Sequence, residues 1–466
     1  MGLRGGSPRP GRNSRRDGGA GGGDRPCSRA ARPRACRGAA QEARPQHRFQ
    51  ACAGGAGEGA HPNPGGVQGG RRLPGRDLTH RCSWILNALL AGGAVVLPSC
   101  AAKREVRVGA VLSLSGEGAY YGQAIRQGMD LAVEQVNTSG GIGGNSLRIV
   151  YLDSSSSPEQ AARAAIQLYD RHDLPLILGA VLSSETLRIA PLAEQRHKIL
   201  LSPASSSPEI TRAGKYVFRI YPSDTLEGAY MAQLAADELR LRRVLVLAID
   251  NAFGRGLAGV FRKSFPGAAP PLVQAYATHG ADYAAVAEKA RDSGVEGIYL
   301  VGYYSDMAEI LKEIRRVSPE LKILSTSSFG NPKTLESAGK AAEGVIFPAI
   351  VFDPESDDPT IARFVRNFRM RYGSNPDLWA AHGYDAVLIA AEAMNRADGS
   401  VPDRIAEALL GIREFHGASG SLSFDAEGDV VQYPRAYIVH EGRFILYRDY
   451  LEQMGSRTGA GSGKKP

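Results

Sequence analysis

The chain has 466 residues, enough for two or three domains at about 150 residues each, with 43% hydrophobic residues, 22% charged residues and a formal net charge of +8. That charge sits at the front. Residues 1–100 hold sixteen arginines, no lysine and five acids, a net of +11, which leaves residues 101–466 at −3. A slightly acidic folded part argues against nucleic-acid binding, and cysteines confined to 27, 36, 52, 82 and 100 exclude an internal disulfide or a cysteine metal site in 101–466.

Residues 1–80 are rich in Gly, Arg, Pro and Ala and lack apolar periodicity, so they cannot bury enough surface to fold. They read as sequence ahead of the true start, in preference to an RNA-binding Arg/Gly arm, because a secretion signal follows them. Arg81-Cys82-Ser83 precedes the apolar run Trp84–Leu97, which at fourteen residues is shorter than the roughly 20 needed to span a bilayer. It fits a signal peptide over 81–100. Leu97-Pro98-Ser99-Cys100 is similar to a bacterial lipobox, with Cys100 as the lipidated residue and Pro98 as the departure; simple cleavage is the alternative.

From Val106 the pattern alternates. Strands are expected at Val106–Leu112, Leu147–Leu152, Leu174–Gly179, Lys198–Ser202, Arg243–Ile249, Val273–Ala277, Gly297–Val301, Leu321–Ser325 and Gly344–Ile350. Helical spacing lies between them, as in Ala124–Val136 and Pro158–Tyr169. Strands alternating with helices mean α/β architecture with doubly wound parallel sheets, and so many strands divide into two sheets. The end differs: Ser421–Phe424, Ala436–His440 and Arg443–Tyr447 read as strands without helices, with a hairpin turn at 440–443 and a frayed tail after about 453.

Open α/β sheets bind ligands at the carboxyl ends of their strands. Two of those ends here are rich in hydroxyls: Ser183-Ser184 after the third strand and Ser205-Ser206-Ser207 after the fourth, with Pro208 placed to open a helix. Two helix N-termini side by side would suit a carboxylate or another anion. Gly116, Gly118 and Gly122 follow a strand, but Asp153 lies 31 residues beyond Gly122 where a dinucleotide site needs about 20, so no cofactor is assigned. Neither a P-loop, a nucleophile elbow nor a zinc-protease motif occurs. Asp425-Ala426-Glu427-Gly428-Asp429 lacks the frame of a calcium loop and reads as a turn. No metal site and no enzymatic activity are expected.

The series Ser113-Leu114-Ser115-Gly116, Asn137 to Gly144, Ser202-Pro203 with Pro208-Glu209-Ile210-Thr211, Asp250 to Gly256, Gly302-Tyr303-Tyr304 and Gly383-Tyr384-Asp385-Ala386 resembles the leucine/isoleucine/valine-binding proteins. These are type I periplasmic receptors of ABC importers. The resemblance implies two lobes joined by three crossovers: 105–222 plus 352–417, and 223–351 plus 418–452, with 453–466 a flexible tail. It implies ligand carboxylate at Ser183 (with Ser184 beside it) and Ser206, ligand amine at the backbone near Ser205, and side-chain contacts from Tyr121, Phe253, Tyr303 and Trp379. Asp224 matches an acid at the start of lobe two. Where the family places an acid against the ligand's α-amine, this chain has Ser327, so either the ligand lacks an amine or Asp224 or Asp306 supplies the charge. Ser156 and Leu182 stand at the positions of the family's disulfide.

The function so implied is that of an exported receptor of the periplasm or cell envelope. It would bind an amino acid or small carboxylate by hinge closure and deliver it to a membrane permease, as a monomer, held to the membrane if Cys100 carries lipid. A sensory or regulatory lipoprotein on the same fold is the alternative.

Overall fold

The computed structural model describes residues 104–459 except 268 and 279–281. The expectations for residues 1–80, for the signal peptide and for Cys100 lie outside the described residues, as does 460–466.

Five strands, β1 (Glu105–Leu112), β2 (Ser146–Asp153), β3 (Leu176–Gly179), β4 (Ile199–Ser202) and β5 (Val217–Arg219), form an all-parallel sheet in the order β2-β1-β3-β4-β5. A second sheet contains β6 (Val244–Ile249), β7 (Leu272–Tyr276), β8 (Gly297–Val301), β9 (Lys322–Ser325) and β10 (Ile346–Ala349) in the order β7-β6-β8-β9-β10. The two orders are the same once the second set is renumbered. The inner strands β3, β4, β6 and β8 are buried throughout, as parallel strands covered on both faces must be. The second sheet is extended past β10 by two antiparallel strands, β13 (Arg435–His440) and β14 (Arg443–Leu446), joined by the turn at Glu441 and Gly442, both at positive φ.

The helices follow in chain order: α1 (Ala119–Thr138), α2 (Pro158–Ile166), α3 (Ser183–Arg196), α4 (Asp224–Gln233), α5 (Ala252–Ser264), α6 (Tyr283–Asp292), α7 (Tyr304–Val317), α8 (Pro332–Ala338), α9 (Pro359–Tyr372), α10 (Leu378–Arg396), α11 (Pro402–Leu410) and α12 (Tyr447–Gly459). α9 to α11 come late in the chain yet pack with the first sheet's layer, α9 and α10 against α1 and α10 and α11 against β4. α10 crosses α1 at Gly128 and Gly383. A Cβ on Gly128 would lie 1.9 Å from the Ala380 carbonyl oxygen, and one on Gly383 would lie 2.1 Å from that of Ile125, so only glycines allow this approach. The chain therefore passes between the two lobes three times, near 220–223, 350–358 and 418–434. Among the described residues no helix is long and apolar enough to cross a membrane.

Three expectations need correction. β5 was absent from the predicted strands: its three residues lie too close to the Tyr-Pro-Ser bend to show a period. The strand expected at Ser421–Phe424 is β12 (Gly420–Leu422), paired with β11 (Phe415–Gly417) in a hairpin, while Phe424 only bridges to Val430. The residues expected to fray after about 453 continue α12 as far as Gly459.

The third crossover is tied to lobe one by charge. Arg219, fully buried at the end of β5, donates from Nε to Asp429 Oδ1 at 2.7 Å, from Nη1 to the Ser207 carbonyl and from Nη2 to Thr211. Asp429 closes the Asp425–Asp429 turn, whose backbone bonds run between those two residues. From α10, Asp385 accepts from Ala418 N, Ser419 N and Ser419 Oγ at 2.6 to 2.8 Å.

Candidate functional site

The two sheets present their carboxyl ends to one cleft, at the point in each where the strand order reverses. The loops after β1, β3 and β4 face those after β6, β8 and β9. Between them lies a small cavity of about 40 Å3, room for little more than water while the walls stand this close. Its walls are Tyr121, Val181, Leu182, Ser183, Ala204, Ser206, Tyr221 and Trp379 from lobe one and the first crossover, and Phe253, Tyr303, Ser327 and Ser328 from lobe two.

Tight helix-to-strand packing sets the first residues on each side. A Cβ on Gly122 would lie 2.0 Å from the Ser113 carbonyl oxygen, and one on Gly254 would lie 1.9 Å from that of Ile249. Glycine therefore brings the first turn of α1, carrying Tyr121, and that of α5, carrying Phe253, against the strand ends. The third glycine of the Gly116/Gly118/Gly122 pattern thus serves packing.

The hydroxyl-rich loops mostly satisfy one another. Ser205 Oγ bonds Thr186 Oγ1 at 2.7 Å and reaches the carbonyls of Ala180 and Val181. Ser202 Oγ donates to Ala180 O and accepts from Ser205 N. Ser183 is different. Its Oγ accepts from Ser206 N at 3.2 Å and Ser207 N at 3.1 Å. Both lone pairs are then occupied, and its own proton is left to donate.

The expected pair of helix N-termini is reduced. α3 opens at Ser183, but Glu185 in its first turn already accepts from Leu182 N at 3.1 Å and from Ser113 Oγ. Burial raises the Glu185 pKa. The segment behind Ser207 is a single 3-10 turn, Pro208–Arg212, in which Ser207 caps Glu209 N. A single turn has little dipole to offer, so the hydroxyls and amides of these loops remain as the polar groups at the cavity.

An aromatic box closes the remaining walls. Trp379 stacks on Tyr221 with centroids 5.2 Å apart and meets Tyr121 edge-on at 5.1 Å. Phe253 stacks on Tyr303 at 5.7 Å. Tyr121 also spans the cleft: its hydroxyl donates to the Ser328 carbonyl and accepts from Tyr304 N, both at 3.3 Å. Burial pushes the Tyr121 hydroxyl pKa far up, so it stays protonated and can donate.

Of the residues singled out in the sequence, Tyr121, Ser183, Ser206, Phe253, Tyr303, Ser327 and Trp379 line this cavity. Ser205 lies behind the wall, and Ser184 faces a second interlobe groove with Arg188, Asp250 and Arg255. Asp224 is buried beneath Ser206, its amide donating to the Ser206 carbonyl at 2.8 Å. Asp306 accepts from Tyr283 and lies outside the lining. Sequence reasoning missed Tyr221, Ser328 and Glu227. Glu227 sits one helical turn beyond Asp224 on α4, and its Oε1 accepts from Ser327 N at 3.0 Å. The i, i+3 spacing of two acids was the available signal.

The described residues contain no group of His, Cys, Asp and Glu able to hold a metal. The family profile described as "Periplasmic binding protein" matches residues 105–439. The leucine-, isoleucine-, valine-, threonine- and alanine-binding protein of Pseudomonas aeruginosa is 25% identical over 358 residues, covering 76% of this chain and 94% of its own. Among solved structures, a leucine-binding protein of Thermotoga maritima is 29% identical with a TM-score of 0.68, covering 73% of this chain and 97% of its own. An ABC transporter substrate-binding protein of Desulfitobacterium hafniense, in complex with Leu, is 27% identical with a TM-score of 0.62, covering 74% and 100%. With a matching profile across most of its length and this architecture, the chain belongs to the periplasmic binding proteins of type I fold, among the leucine/isoleucine/valine-binding proteins.

Proposed function

We propose that the protein is the extracytoplasmic solute-binding receptor of an ABC importer and that it captures an amino acid or a related small carboxylate between its lobes. The observation that carries this reading is Ser183. Two backbone amides fill its lone pairs, which leaves its proton to donate to a ligand carboxylate. The Ser206 hydroxyl lies at the same rim but donates to Asp224, and the ligand's apolar part takes the box formed by Tyr121, Tyr221, Phe253, Tyr303 and Trp379. The names of the Pseudomonas aeruginosa and Desulfitobacterium hafniense relatives, a binder of branched-chain and other amino acids and a transporter component in complex with Leu, support the same class.

Binding proceeds by hinge closure. The ligand carboxylate docks first on lobe one, and lobe two then swings over it until Tyr121 bonds Ser328 and Tyr304. The ligand drives closure only to the extent that it binds the closed form more tightly. The permease reads the closed form.

The test is a ligand panel: each amino acid, its amine-free carboxylate and its amide, followed by thermal shift and by the fluorescence of Trp379. A ligand at a hundred times its Kd adds about 2.7 kcal/mol of stability. Carboxylates should raise the melting temperature and change Trp379 emission, and the amides should not. Silence across the panel would discard the transport reading in favour of a regulatory one.

A further inference from the structure

α4 begins directly after the first crossover, and its first turn lies beneath both polar rims of the cavity. Asp224 supports the lobe-one rim: its amide donates to the Ser206 carbonyl at 2.8 Å, and the Ser206 hydroxyl stands beside its carboxylate. Glu227 supports the lobe-two rim by accepting from Ser327 N at 3.0 Å. Both carboxylates are buried, and Asp224 Oδ2 has no hydrogen-bond partner. Neither lines the cavity, yet each holds a serine that does.

The groups that face this pair from the surrounding elements are few. Arg219 on β5 acts on Asp224, but its guanidinium is already committed to Asp429, Ser207 O and Thr211. Tyr221 on the first crossover sets its hydroxyl by Ser327. Tyr299 on β8 senses both acids and has a buried hydroxyl without a partner. Gln432 on the third crossover shares a small hinge cavity with Glu227. Among the described residues no basic group offsets Glu227.

We propose that Asp224 and Glu227 read the charge of the ligand: through Ser206 and Ser327 they favour a ligand that carries an ammonium beside its carboxylate, and such a ligand displaces a proton from the pair to solvent. The proposal rests on the carboxylate-binding reading above and places the missing negative charge one layer behind Ser327. An isolated acid pair out of water retains a proton because two adjacent buried charges are costly. Burial raises Glu227 to about 7, the hydrogen bonds from Ser327 opposing it, and burial followed by the charge of Glu227 lifts Asp224 well above the usual carboxylate range.

The sign follows. An ammonium in the cavity lowers the pKa of the pair, so affinity for an amino acid rises with pH through about 7, by at most about tenfold per pH unit for one proton released. An amine-free carboxylate raises that pKa, so its affinity is flat or falls over the same range.

Calorimetry on the full-length protein tests this with leucine and 4-methylpentanoate at pH 6, 7 and 8, in two buffers of different ionisation heat. Wild-type protein should release a proton on binding leucine and none on binding 4-methylpentanoate. Glu227→Gln should abolish the release and the pH slope, weaken leucine at pH 8 by about tenfold or more, and leave 4-methylpentanoate as tight or tighter, which also shows that the variant is folded. Leucine binding that is independent of pH and releases no proton overturns the proposal. So does a Glu227→Gln variant that keeps the slope. If Glu227→Gln does not fold, the wild-type proton count alone decides. Failure of both compounds to bind the wild type removes the carboxylate reading itself and this inference with it.

Discussion

The two lobes repeat one strand order and offer the cavity loops from equivalent strands, β1, β3 and β4 against β6, β8 and β9, yet the walls they build are chemically unlike. Lobe one is a wall of serines whose bonds close among near neighbours: Ser183 to Ser206 and Ser207, Ser202 to Ser205, Ser205 to Thr186. Lobe two offers Phe253, Tyr303 and two serines, of which Ser327 is oriented by a carboxylate a hundred residues earlier in the chain. A wall held by its own loops is set before the ligand arrives. A wall held by a helix at the crossover is positioned by the hinge. Shared topology therefore supplies the loops twice, and the division of labour we propose between anchor and sensor rests on what backs each serine.

The largest expected effect breaks the anchor from behind. Arg219 donates to the carbonyl of Ser207, the loop that carries Ser206, and is itself neutralised by Asp429. Asp429→Ala leaves a fully buried guanidinium without its counter-charge and should cost about 3–5 kcal/mol in urea denaturation at pH 7, with weaker ligand binding as the loop loosens. Removing an exposed pair on lobe two, as in Lys312→Ala opposite Glu309, should cost under about 1 kcal/mol. Equal losses would mean that the anchor is no better braced than an ordinary surface.

A second contrast compares the two serines directly. Ser183→Ala strands two buried amides, each worth about 1–3 kcal/mol when unpaired, and removes the donor proposed for the carboxylate. Calorimetry should show affinity reduced by about a hundredfold, alike for leucine and its amine-free analogue. Ser327→Ala keeps the backbone N–H that Glu227 holds, and its affinity should fall less than about tenfold. If the alanine at 327 proves the more damaging, anchor and sensor are exchanged.

Much of this was legible in the sequence, and the exceptions share a cause. Long apolar runs such as Val244–Ile249 and Gly297–Val301 announce buried parallel strands because both faces are covered. Ser183, Ser206, Phe253 and Trp379 could be placed because strand ends and a family resemblance point to them. β5 was invisible at three residues, and with it Tyr221 at the adjoining crossover. Glu227 was missed because its role depends on which loop α4 meets in space, and local spacing does not report that. The serine loops also show what a run of hydroxyls conceals: the Ser205 side chain is used up by Thr186 and two carbonyls behind the wall, which local sequence does not report.

The last contrast, smaller than Asp429→Ala or Ser183→Ala, concerns the residue that joins the two walls. Tyr121 stands on lobe one, and its hydroxyl bonds Ser328 O and Tyr304 N on lobe two. Tyr121→Phe removes both bonds and keeps the ring against Trp379 and Tyr303. Each bond is worth about 0.5–1.5 kcal/mol net, so the closed form should lose about 1–2 kcal/mol, less than Asp429→Ala or Ser183→Ala because the freed carbonyl and amide regain water when the lobes part. If lobe one anchors first, the association rate should hold and the dissociation rate should rise by about fivefold to twentyfold, as interface losses generally do. Stopped-flow fluorescence of Trp379 reads both rates. An association rate that falls while dissociation is unchanged would mean that Tyr121 acts before closure, as part of the anchor, and the line between the two walls would have to be drawn beyond it.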